Sequence, residues 1–135
     1  MQQSNSKAVY GPTNPSPETH ADSNVRRFGS VIGLNPETEQ FYRELHADVW
    51  PEILDRIKAS NIRNYSIYTT EIEGRKYLFS YFEYVGEDFE ADMKTMADDP
   101  EMQRWWKETD PCQIQLPTRK AGAHWSEMEM VFLAE

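Results

Sequence analysis

Residues 61–85, NIRNYSIYTTEIEGRKYLFSYFEYV, constrain the fold more than any other stretch of this chain. Apolar and polar residues alternate through Tyr65, Ile67 and Thr69 and again through Leu78, Ser80, Phe82 and Tyr84, with a turn signal at Glu73-Gly74 between them. The pattern predicts two antiparallel strands. A two-stranded ribbon is not stable alone and must lay one face on other elements. Both of its flanks supply helical periodicity.

Upstream, RRFGSVIGL reads as a strand with Phe28, Ser30, Ile32 and Leu34 on one side and two glycines on the other, where a neighbouring chain can come close. NPETEQFYRELH follows. Asn35 suits an N-cap, Pro36 the first helical position, and Glu37 and Glu39 the positive helix end. The helix is expected to run to about His46. ADVWPEILDRIKAS then resumes the pattern across Pro51, as a kink or as a fresh helix beginning near Asp48. Downstream, GEDFEADMKTMA carries Asp88 as a cap, and DDPEMQRWWKETD restarts at Asp99-Pro100. Residues 110 to about 125 read as a long loop, and SEMEMVFL as a last strand alternating through Met128, Met130 and Phe132.

The order is β-α-β-β-α-β, an α+β, ferredoxin-like sandwich of four strands with helices on one face. The uncovered face needs a ligand or a partner subunit. Residues 1–25, rich in Ser, Asn, Pro and Thr, have little to bury and read as a disordered extension, leaving 26–135 as the folded domain.

Composition narrows the function. A formal charge of −9, with no Lys/Arg cluster, argues against nucleic acid. Cys112 is the only cysteine, so no internal disulfide and no Cys-rich zinc site can form. The longest apolar runs, such as YLFSYF, are too short to span a membrane, and no secretory apolar stretch precedes them, so a cytoplasmic protein is expected. Neither a phosphate-binding glycine loop nor a nucleophile elbow occurs, nor a metal-spaced histidine pair. Any chemistry is expected to run on proton transfer without metal or cofactor.

Tyr42, His46 and Trp50 recur at four-residue spacing, so Tyr42 and His46 share a helix stripe beside Phe41, Leu45 and Val49. A histidine at the edge of an apolar face can titrate near neutrality and serve as a general acid–base. Spacing alone favours an ordinary packed or surface histidine over a catalytic one. Trp105 and Trp106 point about 100° apart on a helix, so one can pack while the other walls a pocket. Tyr65 and Tyr68 lie on opposite sheet faces; the first placement is Tyr65 with its hydroxyl on the uncovered face and Tyr68 under the helices, although alternation does not fix the sign and the reverse stays open.

The strings FYRELHADVWPEI, RNYSIY, LFSYFEY, DPEMQRWWK and EMEMVFL, in this order, resemble the L-rhamnose mutarotase family over residues 27–135. The resemblance implies a homodimer of the dimeric α/β-barrel type that interconverts the α and β anomers of a free 6-deoxy monosaccharide, with no cofactor. It further implies that His46 is the proton donor, delivering a proton to the ring oxygen. Tyr42, Tyr65, Trp105 and Trp106 are implied to bind the sugar, while the second acid–base group is left unassigned. The chain departs from the family pattern in its N-terminal extension, in the turn at Glu73-Gly74 and in the loop DPCQIQLPTRKAGAHW, which follows the tryptophan helix and is a candidate pocket wall. The departures leave L-fucose or another neutral sugar open as substrate. Two other readings share the architecture: a small dimeric monooxygenase or haem-handling protein with His46 as axial ligand, and a non-catalytic sugar-binding dimer.

Overall fold

The computed structural model describes residues 6–135, and residues 1–5 of the expected extension lie outside them. Five strands form one sheet: β1 (Arg26–Leu34), β2 (Ile62–Ile72), β3 (Arg75–Tyr84), β4 (Gln113–Ile114) and β5 (Ser126–Met128). The helices are α1 (Pro17–Ala21), α2 (Glu39–Ala47), α3 (Pro51–Ala59), α4 (Phe89–Asp98) and α5 (Pro100–Thr109). The path is β2-β3-β1-β4, and β5 also pairs with β1. Thus β1 lies between the hairpin and the C-terminal segments, and all pairings are antiparallel.

The hairpin turns as expected, with Glu73 and Gly74 both at positive φ, 51° and 79°. Such a turn matches the right-handed twist of the strands it joins. Both helical segments are broken at their prolines. Pro51 opens α3 as a fresh helix, and Asp99 caps α5 through its side chain, which accepts from the Glu101 backbone N–H at 2.9 Å. Asp99 also takes the Arg56 guanidinium at 2.7 Å and so ties α5 to α3.

Three expectations need correction. Asn35 caps a turn rather than a helix: its Oδ1 accepts from the Glu37 N–H, and α2 begins only at Glu39. Of its apolar stripe, Phe41 stays 44% exposed while Tyr42 is buried, because Tyr42 is the residue directed at Leu34 and Cys112. The last strand, β5, ends at Met128 short of Met130 and Phe132, and the expected loop contributes a further short strand, β4, each taking part of the same edge of β1. The two glycines of β1 explain how that edge is filled. A side chain at Gly33 would come within 2.9 Å of the Ile114 carbonyl oxygen, and one at Gly29 within 3.2 Å of Met128.

The segment 6–25 is attached to this edge of the fold. Ser16 caps α1, His20 Nε2 accepts from the Arg27 N–H at 2.8 Å, and the Leu133 N–H reaches the Thr13 carbonyl at 2.7 Å. These hydrogen bonds, together with the edge contact of His20 on Phe28, offset ordering entropy that composition alone could not.

The core lies between the sheet and the four helices that cover one face. Ile53, Ile62, Tyr84, Met96, Met102 and Trp105 form its larger cluster, and Ile32, Leu34, Tyr42, Leu78 and Cys112 the smaller one. Tyr84 is 2% exposed; its hydroxyl donates to Asp92 and accepts from the Asp88 N–H, fixing the start of α4. Gly86 is required by that arrangement, since a Cβ there would land on the Tyr84 hydroxyl. Gly86→Ala is therefore expected to cost about 1–3 kcal/mol through overpacking of a ring that cannot move. Urea denaturation checks this, and a variant as stable as the parent would contradict it.

Candidate functional site

Strand β2 does not keep one alternation along its length. Ile62 pairs with Tyr84 and Arg63 with Glu83, but the next pairing is Ser66 with Tyr81, so one extra residue is inserted between. Asn64 takes the strain at φ 51°, a conformation Asn tolerates better than most residues, and its Nδ2 donates to Glu83 Oε1 at 3.0 Å. The bulge reverses the parity that Ile62 would dictate. Tyr65 consequently joins Ile67 on the helix-facing side, the reverse of the placement first expected, with its ring 5.6 Å from that of Phe82, while Tyr68 stands on the uncovered face, 63% exposed.

The five residues singled out from the sequence meet at one cavity of about 330 Å³: Tyr42 and His46 from α2, Tyr65 from β2, Trp105 and Trp106 from α5. Such a volume lies at the small end of the range for small-molecule sites. Trp105 is largely a packing residue, 6% exposed and edge-on to Trp50. Trp106, half-buried, supplies wall. The tandem divides its labour as two adjacent helical positions must.

His46 occupies the last turn of α2, its ring stacked on that of Tyr42 at 4.1 Å and edge-on to Trp105 at 5.2 Å. Its Nδ1 lies 2.9 Å from the Tyr42 carbonyl oxygen. A carbonyl can only accept, so Nδ1 carries a hydrogen. Burial lowers the His46 pKa, and the bond to the Tyr42 carbonyl only partly offsets it. The ring is thus neutral near pH 7, with the lone pair of Nε2 unprotonated and available.

Desolvation acts oppositely on the phenols. The Tyr42 hydroxyl is pushed well above the usual phenol range by burial, against a smaller opposing effect from the Gln113 hydrogen bond. Tyr65 keeps 42% of its surface exposed, but its hydroxyl end is desolvated and its pKa also rises. Both are proton-bearing groups at neutral pH. The site therefore sets a base beside two weak acids, the inventory for moving protons between the oxygens of a neutral, hydroxyl-rich molecule.

Among the lining residues that sequence reasoning left unassigned are Asp110, Gln113, His124 and Trp125, all from the segment after α5. The candidate pocket wall is thus present in the structure. The only signal of its participants was a His-Trp pair and two glutamines in an otherwise turn-rich stretch. Among the described residues, no three His, Cys, Asp or Glu side chains gather so as to hold a metal ion. No helix among them is long and apolar enough to cross a membrane.

A family model described as L-rhamnose mutarotase matches residues 27–134. The L-rhamnose mutarotase of Bacillus subtilis is 34% identical over 87 residues, which span 64% of this chain and 79% of that protein. That of Listeria monocytogenes is 30% identical over 99 residues, 73% of this chain and 90% of the relative. In fold, the chain is similar to the crystal structure of an L-rhamnose mutarotase from Formosa agariphila, with a TM-score of 0.60 and 24% identity over 82% of this chain and 99% of that one. Neither the haem-handling reading nor the non-catalytic one is favoured by these matches. With the matched region extending from the first strand through the tryptophan helix to the C-terminal strands, the chain belongs to the L-rhamnose mutarotase family, isomerases that interconvert the anomers of a sugar.

Proposed function

We propose that this protein opens and recloses the pyranose ring of L-rhamnose, with His46 as the catalytic acid–base and Tyr42 as its proton-bearing counterpart. The observation that carries the reading is the contact of His46 Nδ1 with the Tyr42 carbonyl oxygen, which fixes the His46 tautomer. With Nδ1–H engaged by the Tyr42 carbonyl at 2.9 Å, Nε2 is the atom available to exchange a proton with a ligand.

In ring opening, Nε2 takes the proton of the anomeric hydroxyl. The C1–O1 bond becomes a carbonyl, the bond from C1 to the ring oxygen breaks, and the ring oxygen takes the Tyr42 hydroxyl proton. The open aldehyde turns about the C1–C2 bond. On closure, the imidazolium returns its proton to the carbonyl oxygen while the sugar hydroxyl returns its own to Tyr42, now on either face. His46 is thus a proton donor on closing and an acceptor on opening, acting at the anomeric oxygen, whereas the family resemblance implied that it protonates the ring oxygen, a step this reading gives to Tyr42. Tyr65 binds a sugar hydroxyl through its desolvated phenol. Trp106 is read as stacking on an apolar sugar face, with Trp105 behind it supporting the His46 ring. The methyl group of a 6-deoxy sugar suits a cavity lined also by Ile57, Ile62, Ile67 and Met93. Since all bonds made and broken are balanced by these two groups, no cofactor is required.

The same reading takes the protein to be a cytoplasmic homodimer. Tyr68, 63% exposed, pairs across the uncovered face with Phe79, and large apolar residues on a face without helices are the usual material of a subunit interface. The buried, free thiol of Cys112 suits a reducing compartment.

Three outcomes are expected. In exchange NMR on L-rhamnose, His46→Ala lowers enzyme-dependent anomer exchange by about 10²–10⁴-fold, and undiminished exchange would remove His46 from the mechanism. Because burial lowers the His46 pKa below the ordinary 6.5, exchange stays level as pH falls from 8 toward that value. It is lost only further down, as Nε2 becomes protonated; a midpoint above 6.5 would contradict the burial argument. Finally, Tyr68→Glu is expected to shift the molecular mass from dimer to monomer in light scattering with circular dichroism unchanged, and an unaltered mass would place the interface elsewhere.

A further inference from the structure

Gln113, which opposes Leu34 in the register of β1 and β4, holds its side chain between Tyr42 and the loop. Its Nε2 donates to the Tyr42 hydroxyl oxygen at 3.3 Å, and its Oε1 lies 2.7 Å from His124 Nε2. His124 Nδ1 is 3.0 Å from Gln115 Nε2, and Asp110 places a carboxylate oxygen 3.6 Å from His124 Nε2. Apart from Tyr42, none of these groups has a part in the ring-opening chemistry described above.

A primary amide has one donating and one accepting end, so a chain of this kind can run in two directions. In the first, His124 carries its proton on Nε2 and donates to Gln113 Oε1, and the Gln113 NH₂ donates to Tyr42. The Tyr42 oxygen is then an acceptor within the protein, and its own O–H is left for the cavity. In the second, His124 is protonated on Nδ1, the amide is reversed, and Tyr42 gives its proton to Gln113. Tyr42 could then only accept from a sugar.

One neighbour selects the first direction. The Asp110 carboxylate, which can only accept, lies beside Nε2 and favours a hydrogen on that nitrogen, and the Gln115 amide beside Nδ1 then turns its NH₂ to the lone pair left there. We propose that Asp110, His124 and Gln113 are positioning residues that fix the direction of this chain, so that Tyr42 presents its hydroxyl proton to the ring oxygen of the sugar. The inference rests on the ring-opening reading above and deepens it. All three side chains line the same cavity as His46 and Tyr42. The close seat of β4 on Gly33 is what brings Gln113 within reach. The raised pKa of Tyr42 agrees, since a phenol that holds its proton in the resting state has one to present.

The test compares turnover and KM for L-rhamnose anomer exchange among matched variants. Gln113→Glu keeps the shape but offers Tyr42 only acceptors, so it should draw the hydroxyl away from the cavity. Turnover is expected to fall by about tenfold or more, with KM changed by less than about threefold. His124→Leu should fall similarly, whereas His124→Gln, which restores an N–H donor, should recover most of the loss. In a Tyr42→Phe background, Gln113→Glu should add nothing. Near-native turnover in both Gln113→Glu and His124→Leu overturns the proposal, as does an additive loss in the Tyr42→Phe background. Should Gln113→Glu fail to fold, the His124 pair decides by itself. Unaltered protein that does not accelerate exchange overturns the ring-opening reading itself, and with it this one; normal exchange that the variants leave untouched overturns only the directing chain.

Discussion

Strand β1 is the member on which the other elements depend, because it is paired along both edges and packed on one face. The register with β3 runs from Arg26 opposite Tyr84 to Gly33 opposite Tyr77, so the hairpin cannot slip by one residue without turning its own Leu78 and Tyr84 away from the helices. The opposite edge is divided between β5, at Gly29–Val31, and β4, at Gly33 and Leu34. Helix α2 follows β1 after a short turn and lays Tyr42 on Leu34 and Cys112. The position of the cavity is set by that sequence of attachments. One wall comes from α2, one from β2 two strands away, one from α5 and one from the segment that β1 holds at its glycines.

Much of this could be read in the residues before any coordinate was known. The hairpin turn, the breaks at Pro51 and Pro100, the caps at Asp88 and Asp99, and the succession of strands and helices along the chain all follow from local chemistry: fixed φ at proline, side-chain acceptors at helix starts and a two-residue turn at positive φ. What failed to show was non-local. Asn35 is as good a residue for a turn as for a helix cap, and only packing decides between them. The C-terminal pattern through Met128, Met130 and Phe132 looks like one strand, but beyond Gly29 the edge of β1 gives its Arg27 N–H to His20, and the Leu133 N–H goes to the Thr13 carbonyl instead.

The site was legible in part for the same reason. Tyr42 and His46 are placed together by helical spacing, and that relation survives in the stacked rings. Tyr65 was undecidable, because a bulge at Asn64 is a property of two strands and appears in neither alone. The contribution of Asp110, Gln113 and His124 is spread over fifteen residues of turn-rich chain that share no periodicity, so nothing but the folded loop brings them to Tyr42.

The termination of α2 just after His46 has an electrostatic consequence. The helix ends at Ala47, and the chain then leaves its axis before Pro51 starts the next one. Carbonyl groups of a final turn have no amide partners further along and carry the negative end of the helix dipole. A positive charge on the His46 imidazole, as the proposed ring opening requires, therefore meets partial negative charge supplied by the main chain, with no aspartate or glutamate needed as counter-ion. Unlike a carboxylate, this counter-charge has no titration of its own and cannot swing away to bind a sugar hydroxyl. It is present at every pH at which the helix exists, and no side-chain substitution removes it without unwinding the turn that holds His46.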